Sequence, residues 1–252
     1  MIADERRGLI WWGWVGDHLD DIWQRTVEHV QLTAIALVVG CLISFALALL
    51  AVRVRWTYAP IRRVASILYT IPSLALFAAL VPITGFSPFT ALFPLVLYTI
   101  LILVRNIVAG FDSVPADVLE AANGMGYARD RRLWRVELPL AIPLIVAGLR
   151  VATVSTIGLV TITATIGDRY GGLGFFILEG WRRAFPTEIL FGAIPSMLLA
   201  IAADLTLQGI ERRATPWSRP SPVPGGSGGS GGGTPLATDL AGTGRGAAEG
   251  HA

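Results

Sequence analysis

The hydrophobic positions of this 252-residue chain form long continuous runs, which polar and charged residues separate. No Asp, Glu, Lys, Arg or His occurs from Val30 to Val52 or from Val64 to Val104. Both runs exceed the roughly 20 apolar residues that a helix needs to cross the hydrocarbon core of a bilayer. Apolar residues do not alternate with polar ones, which argues against transmembrane strands. The pattern therefore predicts an all-α integral membrane protein.

Turn-forming residues divide these runs into five predicted transmembrane helices. The uncharged stretch after Val64 is too long for one helix, and Pro82, Gly85 and Pro88 divide it in two. Two further apolar stretches are each interrupted by one ionisable residue, Arg150 or Asp204. The predicted spans are about residues 28–52, 64–81, 89–109, 138–167 and 188–210. The transmembrane domain then covers residues 28–211.

The distribution of arginine predicts which side of the membrane each loop occupies. All 20 basic residues are arginine, and loops on the cytoplasmic side of a membrane carry an excess of basic residues. With the N-terminus outside, 13 arginines fall in cytoplasmic segments and six in external ones. The sequence therefore predicts an external N-terminus, a cytoplasmic C-terminus and a cytoplasmic loop between the third and fourth spans.

Both ends of the chain differ in composition from the apolar middle. Residues 1–27 combine Trp11, Trp12, Trp14 and Trp23 with acidic residues, which is typical of an external segment at the membrane interface. Residues 212–252 are rich in Gly, Pro, Ser and Ala. Because such a segment buries too little apolar surface to offset its ordering entropy, it is predicted to be a disordered cytoplasmic tail.

Charge, cysteine content and missing motifs narrow the function classes. The net charge is only +2 and there is no lysine-rich tract, so no nucleic acid partner is expected. The single cysteine, Cys41, excludes an intramolecular disulfide and a cysteine-based metal site. No P-loop pattern with Gly-Lys-Ser/Thr is present. His18, His29 and His251 lie at or outside the span boundaries, which argues against an intramembrane enzyme, and no cofactor is expected.

The loop between the third and fourth spans has the strongest local pattern. Ser113 is predicted to cap a short helix that has Pro115 and Asp117 in its first turn. Gly124 and Gly126 are predicted to end it. Its small apolar face consists of Ala121, Ala122 and Met125. Lipid cannot cover that face in a cytoplasmic loop, so the helix is expected to dock on another protein.

In this loop the sequence resembles a known family. The loop is similar to the loop signature of bacterial ABC importer permeases. The matching residues are Glu120-Ala121-Ala122, Gly126 and, after nine more residues, Val136-Glu137-Leu138-Pro139. The resemblance implies the type I permease fold in the plasma (inner) membrane. It also implies that this loop forms a cytoplasmic coupling helix on an ATP-hydrolysing subunit. The coupling residues would be Asp117, Glu120, Ala121, Ala122, Met125 and Gly126.

Other segments look most like the osmoprotectant permeases, which import glycine betaine, choline or carnitine. They are Thr70–Leu76, Val136–Arg150 and Gly171–Gly174, although Asp168, Arg169 and Tyr170 lengthen the last region relative to the usual pattern. The resemblance implies a dimer of ATPase subunits, an external substrate-binding protein and a second permease, identical or homologous. An aromatic cage for a quaternary ammonium group is expected in the binding protein.

Two alternatives and one pair of charges stay open at this point. Methionine permeases share the architecture and a similar glycine-rich turn. A self-contained secondary transporter or channel would show inverted repeats or polar residues at the bilayer midplane, and neither is evident. A charge inside a span costs about 2.5–3.5 kcal/mol on insertion scales. Arg150 and Asp204 are therefore predicted either to reach the inner interface or to pair near an inner gate.

Overall fold

A computed structural model describes residues 10–167 and 170–215, and every regular element within them is helical. The chain divides into two units, Met1–Ser218 and Arg219–Ala252, and the second lies outside the described residues. The predicted disordered tail lies outside them as well, except for its first residues. So do Asp168 and Arg169 of the lengthened segment.

The described residues form ten α-helices in chain order. They are α1 (Trp12–Asp17), α2 (Leu19–Arg53), α3 (Tyr58–Thr70), α4 (Ser73–Thr84), α5 (Pro88–Asp112), α6 (Ala116–Gly124), α7 (Arg129–Arg132), α8 (Leu138–Thr163), α9 (Gly174–Arg182) and α10 (Pro186–Ala214). A 3-10 turn (Arg55–Thr57) precedes α3, and a π-helical segment (Leu133–Glu137) joins α7 to α8.

Four of these helices, α2, α5, α8 with its preceding turns, and α10, are long and apolar enough to cross a membrane. α3 and α4 together form a fifth candidate span, which is bent by 90°. The predicted all-α membrane fold is confirmed. The second span, however, was predicted as one continuous helix, and that prediction is wrong. The first membrane helix also begins earlier than predicted, at Leu19.

Pro72 explains the break in the second span. A proline disfavours the helical conformation for the residue before it, and Ile71 accordingly has a ψ of 122°. Pro72 also has no N–H to donate to the preceding turn. The hydroxyl of Tyr98 on α5 donates a hydrogen bond to the Ile71 carbonyl. The neighbouring helix thus satisfies a backbone group that the break would leave unpaired in the apolar interior.

α5 lies at the centre of the bundle and packs against both α2 and α8. Small residues let these helices approach closely. A Cβ atom added at Gly40 of α2 would lie 2.5 Å from Cγ2 of Thr99, and one added at Gly148 of α8 would lie 2.3 Å from Cβ of Asn106. The larger core cluster consists of Ala48, Ala51, Leu103, Ile107, Val108, Phe111, Leu133, Ala141 and Ala152.

His29 links three parts of the bundle. Its side chain is fully buried. Nε2 donates to the Ile157 carbonyl of α8 at 3.0 Å, and Nδ1 accepts from the Leu173 N–H at 3.3 Å. The expectation that His29 lies at a span boundary missed this burial, because both partners are distant in sequence. Gly172 makes the contact possible, since its φ is +47° and an added Cβ would lie 2.9 Å from Cβ of His29.

Candidate functional site

α6 presents a polar and small-residue face at the Arg-rich end of the bundle. Asp117, Glu120, Ala121 and Met125 share one side of this helix and are exposed, Met125 to 69%. Their spacing of three or four residues is the spacing of one helical face. Asp117 lies in the first turn, where a negative charge stabilises the positive end of the helix. This face has no covering element among the residues that the structure describes.

Gly126 ends α6 in a Schellman motif. The N–H of Tyr127 donates to the Ala122 carbonyl at 3.1 Å, and the N–H of Gly126 donates to the Asn123 carbonyl at 2.9 Å. Gly126 has a φ of +78°, a left-handed conformation that favours glycine. The glycine therefore fixes the exit of the chain from the exposed helix.

Two predicted details of this loop are wrong. Ser113 does not cap α6, because its hydroxyl donates to the Gly110 carbonyl at the end of the preceding helix. The residue at the N-cap position is Pro115, which lacks a side-chain cap. Ala122 is buried, with 1% exposure, because it lies on the side of α6 that faces the bundle. The exposed face therefore contains Ala121 and Met125 but not Ala122.

Hydrogen bonds from Arg132 link the end of α6 to the segment before α8. Arg132 donates from Nε to Glu137 at 2.7 Å and from Nη1 to the Asn123 side chain at 2.7 Å. The following turn is tied to the end of α2, since Arg53 pairs with Asp130 at 2.8 Å. These contacts join the loop to two membrane helices.

Arg150 joins α8 to α10 through two carboxylates. It pairs with Asp204 through two parallel hydrogen bonds of 2.9 and 3.0 Å, and with Glu211 at 3.1 Å. Asp204 and Glu211 lie two turns apart on α10, so one guanidinium reaches both. The pair is the contact that an inner-gate role of Arg150 and Asp204 requires, and that role stays a prediction. The planar guanidinium matches a carboxylate in this bidentate geometry.

An open groove follows α3, α5 and α8. It contains two adjoining cavities of about 500 and 420 Å³, and Tyr69 and Ile102 line both of them. The first cavity also has Ser66, Arg105 and Asn106 in its wall. The second lies at the bend between α3 and α4 and has Ser155 and Gly158 of α8 on its opposite side.

At the other end of the bundle, the tryptophan-rich segment packs on α9 and α10. Trp14 makes edge-to-face contacts with Phe176, Phe185 and Phe191, with ring centroids 5.6–6.4 Å apart. Trp12 is exposed to 70%, as an interfacial residue would be. The part of residues 1–27 that the structure describes is therefore partly core and partly surface.

Sequence reasoning missed Tyr58, Tyr69 and Tyr98, the aromatic residues of the groove. The available signal was Pro72, which breaks the helix beside Tyr69 and Tyr98. The sequence analysis did not identify the break at Pro72, because both halves of the broken span are uncharged and equally apolar.

Relatives of known name match most of this chain. Residues 28–216 match the family described as binding-protein-dependent transport system inner membrane component. The chain is 35% identical over 192 residues to the choline transport system permease protein OpuBB of Bacillus subtilis, which covers 76% of this chain and 88% of that protein. It is 36% identical over 196 residues to the osmoprotectant import permease protein OsmW of Salmonella typhimurium, with 76% and 90% covered.

Solved structures of ABC transporters share the fold. An inward-facing MetNI methionine ABC transporter superposes with a TM-score of 0.68 at 18% identity, covering 77% of this chain and 96% of that one. An amino acid ABC transporter crystallised with histidines gives a TM-score of 0.64 at 18% identity, with 79% and 96% covered. The helical bundle with its exposed loop helix, together with the family match, identifies the chain as a multi-pass inner-membrane permease of the binding-protein-dependent ABC importer family.

Proposed function

We propose that this permease belongs to an ATP-driven importer of a quaternary-ammonium osmoprotectant such as glycine betaine, choline or carnitine. The observation that carries the proposal is 35% and 36% identity, over 76% of the chain, to permeases named for choline and osmoprotectant transport. A third relative at 35% identity, from Bacillus subtilis, is named for glycine betaine, carnitine and choline together. The proposed cargo is a quaternary ammonium compound, the class to which the solutes in these names belong.

In this proposal α6 is the coupling helix and docks on a separate ATPase subunit. Its exposed face offers two carboxylates, Asp117 and Glu120, and small or flexible side chains that permit close approach. Arg132 of α7 bonds Asn123 of α6 and Glu137 before α8, and Asp130 of α7 pairs with Arg53 of α2. A displacement of α6 by the ATPase would reach the membrane helices through α7. The subunit itself performs no chemistry, and an ATPase dimer and an external binding protein complete the system.

The Arg-rich end of the bundle is proposed to be cytoplasmic. It carries the arginines on both sides of the α2–α3 turn and those of α7, together with the two that end α10. Basic residues favour the cytoplasmic side. The N-terminus then lies outside, and Arg150 and Asp204 lie near the inner end of the pathway. The α8–α10 ion pair is proposed to act as an inner-gate contact.

A second permease, identical or homologous, is proposed to cover the open groove. One subunit leaves the groove open along α8, where an exposed stripe recurs every three or four residues. The stripe consists of Ala147, Val151, Val154 and Gly158. Ala147 and Gly158 are small residues, which suit close packing of membrane helices. Each permease would then supply half of the translocation pathway.

Two other functions are weaker candidates. The methionine transporter is similar in fold at 18% identity, which supports no statement about cargo. A self-contained secondary transporter or channel would have no use for an exposed loop helix, and the family match also argues against it.

Uptake by whole cells tests the proposed cargo. Cells that lack this chain should lose uptake of labelled glycine betaine, choline or carnitine and keep uptake of methionine, and the cloned chain should restore the loss. Loss of methionine uptake with normal uptake of the quaternary ammonium compounds would contradict the proposal.

A further inference from the structure

The bend between α3 and α4 lies near the middle of the membrane span. Tyr98, which holds the bend, is ten residues from the start of α5 and 14 from its end. At 1.5 Å per residue these separations are roughly 15 and 21 Å. The cavity at the bend has no charged side chain in its wall. A solute that crosses the groove must pass this uncharged cavity.

Two features of that cavity attract a soft cation. Tyr69 is exposed to 58%, and its ring makes an edge-to-face contact with that of Tyr98 at a centroid distance of 6.2 Å. The backbone carbonyls of Tyr69 and Thr70, at the end of α3, accept no hydrogen bond from the described residues. A π-face and carbonyl oxygens both carry negative potential. A trimethylammonium group, which is large and donates no hydrogen bond, suits such surroundings.

The adjoining cavity presents the opposite charge. Arg105 lines it together with Ser66 and Asn106. Among the ion pairs of the described residues none contains Arg105. Asp112, two turns further along α5, pairs with Arg55 at 2.7 Å. A bare cation would be repelled here, since two like charges in a protein cleft interact strongly. A carboxylate would instead match the guanidinium.

We propose that this groove is built for a zwitterion. Tyr69 receives the trimethylammonium group at the bend, and Arg105 receives the carboxylate in the adjoining cavity. Glycine betaine and carnitine carry both groups, whereas choline carries only the cation. The inference rests on the proposed function and narrows its substrate class: zwitterionic cargo is preferred to choline. Tight selection stays with the external binding protein, and the groove provides a weaker transit site.

The test compares uptake of labelled glycine betaine and choline by the complete importer. The binding protein is the same throughout, so its own preference cancels when variants are compared with the parent. Arg105→Gln should lower glycine betaine uptake about tenfold, the loss of one charge-assisted contact, without lowering choline uptake. Tyr69→Leu should lower uptake of both by about three- to thirtyfold, whereas Tyr69→Phe keeps the π-face and should retain it.

Two control variants remove the same chemical groups elsewhere. Arg213→Gln removes an exposed charge at the end of α10, and Phe93→Leu removes an exposed ring on α5. Neither should change the ratio of the two uptake rates. Three results would each overturn the inference. They are equal effects of Arg105→Gln on both solutes, unchanged uptake by the Tyr69→Leu variant, and a parent importer that carries choline but not glycine betaine. A parent that carries no quaternary ammonium compound would refute the proposed function itself.

Discussion

Replacing Gly126 with valine should uncouple the permease from its ATPase. A left-handed conformation costs a non-glycine residue about 1–2 kcal/mol, and Gly126 has a φ of +78°. A Cβ atom added there meets no heavy atom within 4 Å, so backbone strain is the whole cost within this chain. The strained turn would open, and the last turn of α6 would fray with it.

A strain of about 1–2 kcal/mol reduces the ratio of formed to open turn by about 5- to 30-fold. Because only the formed turn is competent to dock, co-purification of the ATPase and substrate-stimulated ATP hydrolysis should fall, by at most this factor, while the amount of inserted permease stays the same. Glu120→Ala should cause a milder loss of about 1 kcal/mol or less, because this carboxylate is exposed.

Two matched variants separate backbone strain from added bulk. Gly124→Ala also places a methyl group in open space, but at a residue without positive φ, so it should reduce coupling much less than Gly126→Val. Gly126→Asn should retain most activity, because asparagine tolerates the left-handed region better than other residues do. Undiminished association and stimulation in Gly126→Val would mean that α6 is an ordinary connector.

Three further predictions concern the rest of the bundle. Asp204→Asn should weaken the α8–α10 contact, because it removes the charge that pairs with Arg150 through two hydrogen bonds, and should raise ATP hydrolysis in the absence of substrate; unchanged basal hydrolysis would make the pair only a structural link. Gly172→Ala forces a Cβ to within 2.9 Å of a buried histidine at a positive φ, and should lower stability by about 2 kcal/mol or more. Gly209→Ala is its control, since this added Cβ meets nothing within 4 Å; equal thermal unfolding of the two variants would contradict the packing argument. A reporter active only in the cytoplasm should give signal when fused after Arg213 and stay silent at Gly85, and the reverse pattern would invert the topology.

Much of the fold could be predicted because the local apolar composition of a segment determines whether it spans the membrane. The continuous apolar runs indicated the membrane helices, and the glycine at position 126 indicated how the loop helix ends. Prediction failed where the structure depends on a single residue that does not change the hydropathy, or on packing between distant parts of the chain. Pro72 interrupts a run whose hydropathy does not change, so the bend had no compositional mark. Ala122 is buried because α6 packs on its own bundle, which its pattern of small residues could not indicate.

The polar contacts inside the bundle were the least predictable part. Asp204 and Glu211 lie seven residues apart on α10, but their partner lies 54 and 61 residues away in the chain. His29 likewise binds groups 128 and 144 residues distant. Such pairs depend on which helices become neighbours. A single sequence gives the charge and its place in the span but not the partner.

ATP-driven accumulation in sealed vesicles tests the central claim most directly. The complete importer would be reconstituted with ATP and its ATPase inside, and with binding protein and labelled glycine betaine outside. We expect glycine betaine to accumulate above its external concentration only when ATP is present, with unlabelled methionine unable to compete. Accumulation that does not depend on ATP, or accumulation of methionine in place of glycine betaine, would contradict the assignment as an osmoprotectant importer permease.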